Sequence, residues 1–250
     1  MRHRLVTTFA LLLTTAASAA GPSGAAPAGA TLSCEARSGA VPPVVVELYT
    51  SEGCSSCPPA DRWLSGLKAG PELIALAFHV TYWDRLGWPD RFALPEATAR
   101  QQMLARAFGS AQVYTPQVVV GGRDWRDWPR LPKAATAEPS APALRLARDG
   151  DSVTASVSPL AAGVATLGGY WAVVEDRHQT QVKAGENRGE TLKHDHVVRL
   201  VQPVGVWSAA DGRTATLKVA RGVPDFPRRV VFVVTDPATQ RPLQALALGC

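Results

Sequence analysis

Apolar positions along the chain change their period once, near residue 129, and the first half mixes strand and helix patterns. VVVELYT, residues 44–50, is a short β-branched run suited to a buried strand. CSSCPPADRWLSGLK follows it. Pro58 and Pro59 fit only the first turn of a helix, where a missing N–H leaves no partner unserved, so the pattern predicts a helix beginning at Cys57. Ala60, Trp63, Leu64 and Leu67 recur at helical spacing, and Gly70-Pro71 ends the run. LIALAFHV, residues 73–80, predicts a second buried strand. Strand, helix and strand within about forty residues make a βαβ unit and imply parallel pairing. After the polar and aromatic loop TYWDRLGWPDRF, a helix is predicted over Pro95–Phe108 with Gly109 as its stop. YTPQVVVGGRD then resumes β character, with Gly121-Gly122 as a hairpin turn.

Between Trp128 and Pro142 the sequence WPRLPKAATAEPSAP has no period and is rich in Pro and Ala, which reads as a linker over 129–142. Over 143–250 helices vanish. LRLAR, DSVTASVS, ATLGGYWAVVED, TLKHDHVVRLV, TATLKVA, RRVVFVVTD and PLQALAL predict short strands separated by turns such as Asp149-Gly150 and Asp211-Gly212. Such a series predicts an all-β, sandwich-like domain.

Composition changes this picture little: 250 residues, 46% hydrophobic and 19% charged, describe a globular chain of one large or two modest domains. The N-terminus changes it more. MRHRLVTTFALLLTTAASAA places Arg2 and Arg4 ahead of a short apolar core, with Ala17-Ser18-Ala19 as a small-residue cleavage site, so residues 1–19 read as a signal peptide and 20–42 as an N-terminal extension. The core is too short to remain as a membrane anchor. Cleavage removes two of the arginines behind the net charge of +5. The remaining basic residues are scattered without interleaved aromatics, so a nucleic-acid partner has no support.

Export to a periplasmic or secreted location permits disulfides. Four cysteines are present, Cys34, Cys54, Cys57 and Cys250. With Cys54 and Cys57 taken as a CxxC pair, parity leaves Cys34 and Cys250 to bridge the two ends of the mature chain, the alternative being two unrelated free thiols. A lipid-anchored Cys34 fits poorly, since it lies well beyond the apolar core. For the CxxC itself three meanings stand. As a dithiol, Cys54 at a helix start would be the attacking thiolate and Cys57, one turn away, the resolving thiol. As a zinc site it supplies only half of the ligands and no second CxxC exists, so no resident metal is assigned. As a pair of soft thiolates it suits Cu(I). A locked structural disulfide would constrain little chain.

The strand ending at a CxxC, the second strand, the further helix and Thr115-Pro116 before a hairpin together resemble the thioredoxin fold, which implies a cis-proline at Pro116 beside the cysteines. More closely, VVVELYTSEGCSSCPPAD, HVTYWDRLGW, VYTPQVVVGGR and GENRGETL resemble a family of exported bacterial thioredoxin-like proteins catalogued as domain of unknown function 1223. The implied fold class is an α/β thioredoxin-like domain over 43–128 followed by an all-β sandwich-like domain. The implied function is thiol–disulfide exchange with protein thiols or disulfides as partners and no cofactor. A periplasmic Cu(I) carrier and a redox-inert interaction module are the alternatives. Ser55-Ser56 replaces the usual Gly-Pro between the cysteines and no tryptophan precedes Cys54, so potential and client do not transfer.

Around the pair, the resemblance makes Thr115 and Pro116 a rest for substrate backbone. Glu47, an acid inside a buried strand, is either a proton acceptor for Cys57 or a carboxylate tied to a structural arginine. Tyr82, Trp83 and Trp88 can frame a substrate groove or lid the core. Asp84 and Asp90 have no context beyond their place in the motif. His79 can approach the cysteines from its strand end, a core histidine being the commoner outcome. His194 and His196, two apart on a predicted strand, read as solvated side chains sooner than as half of a metal site. Gly185–Gly189, GENRG, reads as a turn, with Arg188 able to reach the first half of the chain.

Overall fold

A computed structural model describes residues 34–132 and 141–250. The signal-peptide reading over 1–19 and most of the expected linker lie outside them. Locally the elements follow the residue pattern. β1 (Cys34–Arg37) precedes β2 (Val44–Thr50), α1 (Pro58–Ser65) and β3 (Leu73–His79); a 3-10 turn (Thr81–Leu86) leads to α2 (Pro95–Ala107). The hairpin β4 (Gln117–Val120) and β5 (Arg123–Asp124) closes this half. Then come β6 (Leu144–Asp149), β7 (Ser152–Val157), β8 (Thr166–Glu175), β9 (His178–Gln181), β10 (Thr191–His194), β11 (Val197–Ser208), β12 (Arg213–Lys218), β13 (Arg228–Thr235) and β14 (Pro242–Leu248). The helix after the CxxC starts where its prolines require: Cys57 is its N-cap and Pro58 and Pro59 fill its first turn.

The expected fold class is overturned. An α/β thioredoxin-like domain followed by a separate sandwich would leave two sheets, one on each side of the linker. Instead, strands from both halves form one eight-stranded sheet in the order β14-β13-β8-β11-β3-β2-β4-β5, and the chain is predominantly β, with only two α-helices among the described residues. The join is β3 with β11, parallel, where Val197 stands opposite Ala77 and the Ala77 N–H donates to the His196 carbonyl at 2.8 Å. β2 and β3 are parallel, as the βαβ reading requires, while β2–β4 and the β8, β11, β13, β14 pairings are antiparallel. A second sheet, β1-β6-β7-β12, draws its first strand from the N-terminal extension.

Side chains alternate across a strand, so parity assigns the faces. Val46, Leu48, Ala75 and Ala77 pack under Ala60 and Leu64 of α1. The same face of the large sheet, through Trp171, Val173, Val230, Phe232 and Val234, packs against Leu144, Leu146, Val153, Ala155 and Leu217 of the second sheet. On the opposite face Val45, Tyr49, Leu76, Tyr170, Ala172 and Val233 pack with Ala97 and Leu104 of α2. The disulfide Cys34–Cys250 ties β1 to the chain end just beyond β14, closing a span of 216 residues.

Candidate functional site

The site forms where β2, β3 and the start of α1 meet. Cys54 and Cys57 are joined as a disulfide with Cα atoms 5.4 Å apart, and neither has any exposed surface. Above them Ser55 and Ser56 are exposed. The Ser56 hydroxyl lies 3.4 Å from Cys54 Sγ, and because a disulfide sulfur has no proton, Ser56 is the donor. The GENRG turn covers the other side. Asn187 Nδ2 donates to the carbonyls of Glu52 and Cys54, both at 2.9 Å, and the Glu186 carboxylate accepts the Ser55 N–H at 3.0 Å. Gly185 has φ +74°, and a Cβ there would stand 3.1 Å from Trp88 Cβ, so any other residue at this turn would be strained in its backbone and crowded against Trp88. Glu186 and Asn187 make the hydrogen bonds of this turn to the cysteine loop, the role expected of Arg188.

Two of the expected aromatic residues join the site directly. The Trp83 backbone and Cβ lie so close to Gly53 that a Cβ there would be 3.3 Å from Trp83 Cβ, and the indole Nε1 donates to Thr115 Oγ1 at 2.7 Å. Trp83 therefore bridges the cysteine loop, through its Cβ and backbone, to Thr115-Pro116, whose peptide bond is cis. Trp88 Nε1 donates to Glu52 Oε2 at 2.9 Å. Tyr82 instead turns toward α2, its hydroxyl donating to Gln101 at 3.2 Å.

Glu47 is not brought to Cys57. It occupies the α2 face of β2, opposite the face that carries α1. There it accepts hydrogen bonds from Arg100 Nη2 (2.5 Å) and Nε (3.1 Å), from the Tyr49 hydroxyl (2.7 Å) and from the Tyr170 hydroxyl (2.8 Å). These four donors fill the acceptor sites of a carboxylate. Burial pushes both tyrosines well above their ordinary range, which keeps them as donors. The structural-arginine reading of Glu47 is the one realised.

Beneath the cysteines, on the α1 face, lies a charged cluster that sequence reasoning missed. His79 Nδ1 and Asp90 Oδ2 are 2.6 Å apart and both side chains are fully buried. Asp90 also accepts the N–H groups of Glu52 and Phe92. Burial disfavours both charges, yet Asp90, with Asp61 and Glu52 near, holds His79 above its ordinary value, and His79 and the two N–H groups hold Asp90 below its own. Asp84 braces this pair by accepting the Asp90 N–H. Glu52 is completely buried with His194 Nε2 3.3 Å from its Oε1; against the cost of burial, His194, Thr180 and Trp88 hold its carboxyl below the usual range. Burial pushes Asp61 up, with His194 and His79 partly offsetting it.

The two histidines expected on one strand face in solvent are both buried, and they do not share a strand. β10 ends at His194, His196 takes a positive φ of 59° in the turn, and β11 begins afterwards. His194 packs edge-on to His79, ring centres 5.1 Å apart, while His196 meets Arg229 and Asp176 elsewhere. Asp61 had one legible signal, its i, i+4 spacing from Cys57. Asn187 and His194 reach Glu52 and the cysteine loop from more than one hundred residues away in sequence, beyond any local pattern. Among the described residues no group of three or more His, Cys, Asp and Glu side chains is arranged to hold a metal.

Fold and site together define a mostly β protein that carries a buried disulfide pair at a helix start, walled by one segment from each half of the chain. Residues 45–235 match the family described as "Protein of unknown function (DUF1223)", and the chain belongs to that family. A crystal structure of protein AGR_C_4864 from Agrobacterium tumefaciens is similar, with TM-score 0.60 and 28% identity over 82% of this chain and 93% of that one. HBP35 of Porphyromonas gingivalis aligns with TM-score 0.49 and 12% identity, covering 84% of this chain and 76% of that one. No curated protein matches. The two disulfides are compatible with an exported protein, and among the described residues no helix is long and apolar enough to cross a membrane.

Proposed function

We propose that this protein is an exported thiol–disulfide oxidoreductase, acting in the periplasm or after secretion, with Cys54 and Cys57 as its working pair. The observation that carries the reading is the disulfide between them at the start of α1, with only two residues between its cysteines. In the chain-entropy model so small a loop stabilises a fold by about 2 kcal/mol, against about 5 kcal/mol for a loop the size of the Cys34–Cys250 span. One bridge is a staple; the other is suited to opening and closing.

In the reducing direction Cys54, as thiolate, attacks a substrate disulfide; its sulfur bonds to one substrate sulfur and the other leaves as thiolate. Cys57 then attacks Cys54, the substrate leaves as a dithiol and the protein disulfide forms. The same steps in reverse oxidise a client. The Ser56 hydroxyl favours the Cys54 thiolate by donating to its sulfur. α1 contributes less than a helix start normally does, because Pro58 and Pro59 offer no N–H and those of Ala60 and Asp61 bond the Cys57 carbonyl. Trp83 and Thr115-Pro116 supply a rest for substrate backbone beside the pair.

Reduction of insulin by the purified protein, with Cys54→Ser inactive, is the test. Equal rates for the two would sink the proposal.

A further inference from the structure

Asp61 is a buried carboxylate with no ion pair among the described residues, the two histidines that act on it being engaged with Asp90 and Glu52, an arrangement that structural carboxylates avoid. It lies one helical turn after Cys57, and its N–H donates to the Cys57 carbonyl at 3.1 Å. Cys57, Ala60, Asp61 and Leu64 are all buried, at the i, i+3, i+4, i+7 spacing of a single helix face. The Asp61 carboxyl is also not sealed in. It lines a pocket of about 140 Å³ with Pro58, Arg62, Leu192, Lys193 and His194. One wall of that pocket is α1 and the other is β10, from the distant half of the chain.

Resting on the oxidoreductase reading, we infer that Asp61 is the proton acceptor for Cys57 during resolution of the mixed disulfide, and that the α1–β10 pocket, with His194 as positioning residue, is the route by which the proton reaches solvent. The Cys57 thiol passes its proton to the Asp61 carboxylate. The resulting thiolate bonds to Cys54 Sγ, the bond from Cys54 to the substrate sulfur breaks, and the substrate leaves as a thiolate. The substrate is reduced by two electrons, the protein dithiol is oxidised by two, and Asp61 releases its proton through the pocket. No other reactant is needed.

The groups facing Asp61 suit this work. Burial raises its affinity for a proton, bringing the carboxyl toward a thiol. His79 from β3, His194 from β10 and the Thr50 hydroxyl at the end of β2 oppose that rise, and Asp90 adds to it. Glu52 stands behind His194, and Arg62 and Lys193 line the pocket beside it.

Reduced protein mixed with dithionitrobenzoate isolates the step. The first thionitrobenzoate released reports attack by Cys54, and the second reports attack by Cys57 on the mixed disulfide. At pH 6, Asp61→Asn is expected to slow the second phase roughly 100-fold, as for loss of a general base, and to leave the first phase unchanged. The second-phase rate of the variant should climb with pH toward the ordinary thiol range near ~8.5, where the wild type has already levelled off. Asp61→Glu should recover part of the rate, and circular dichroism confirms that each variant is folded. If Asp61 acted only as a nearby negative charge, its removal would ease ionisation of Cys57 and speed the second phase. A faster or unchanged second phase overturns the inference. Insulin reduction run alongside separates the two ideas: a wild type inert toward insulin but with an Asp61-dependent second phase refutes the oxidoreductase reading and upholds the relay.

Discussion

Asn187 controls access to the disulfide, because one side-chain amide from the distant half of the chain holds two carbonyls of the cysteine loop. It is 6% exposed and donates to Glu52 O and Cys54 O, each at 2.9 Å. Asn187→Ala removes both bonds and leaves two shielded carbonyls without this donor. At about 1 kcal/mol net for each bond, the loop opens more easily by about 2 kcal/mol. With tenfold per 1.4 kcal/mol, the open population rises roughly 30-fold. Since neither sulfur has exposed surface, reduction by dithiothreitol must pass through an opening, and when closing outpaces reaction the rate follows the open population. The expected result is reduction of Cys54–Cys57 roughly 30-fold faster in Asn187→Ala, read by acid quench and mass after alkylation. Cys34–Cys250, remote from Asn187, is the internal control and should reduce at the wild-type rate. An unchanged Cys54–Cys57 rate in a folded variant would refute the reasoning and mean that reductant enters from the Trp83 side without moving the turn.

Two further outcomes follow from the site. Ser56→Ala, in a Cys57→Ser background, should raise the Cys54 thiol pKa by about half to one unit, the worth of roughly 1 kcal/mol of hydrogen bonding to the thiolate; alkylation rate against pH reads it, and an unmoved curve removes Ser56 from the chemistry. The His79–Asp90 pair sets a pH window for stability. His79 titrates above its ordinary 6.5 when folded, so its contribution is complete below 6.5 and is lost as pH rises through the higher folded value. Asp90 titrates below its ordinary 3.8, so its contribution is complete above 3.8 and is lost as pH falls through the lower folded value. Thermal melts of His79→Gln against wild type should therefore differ most between those limits and converge on the alkaline side, and a constant difference at all pH values would contradict this.

Most individual elements were legible because each follows from a local period or a local steric rule. Pro58 and Pro59 fix where α1 begins, Gly121-Gly122 turns β4 into β5, and the alternation in DSVTASVS and TATLKVA appears as β7 and β12. TLKHDHVVRLV failed as a single strand because a turn at Asp195-His196 carries no glycine or proline to announce it. The site divides the same way. The cysteines could be read from their spacing, Trp83 from its aromatic loop and Thr115 from the family resemblance, whereas Tyr170 beside Glu47 and Asn187 and His194 beside Glu52 could not.

By itself the sequence determined the two-cysteine helix start, the parity that pairs Cys34 with Cys250, and the strands on either side of residue 129. Tertiary structure alone decided that those strands share a sheet, since a strand's free edge is backbone and carries no residue code, and Ala77 can pair with β11 without any mark in LIALAFHV. It also decided that Glu47 faces α2 and not the cysteines. Period two says which residues share a face; only the packed fold says which helix covers that face, and so which carboxylate meets the thiol.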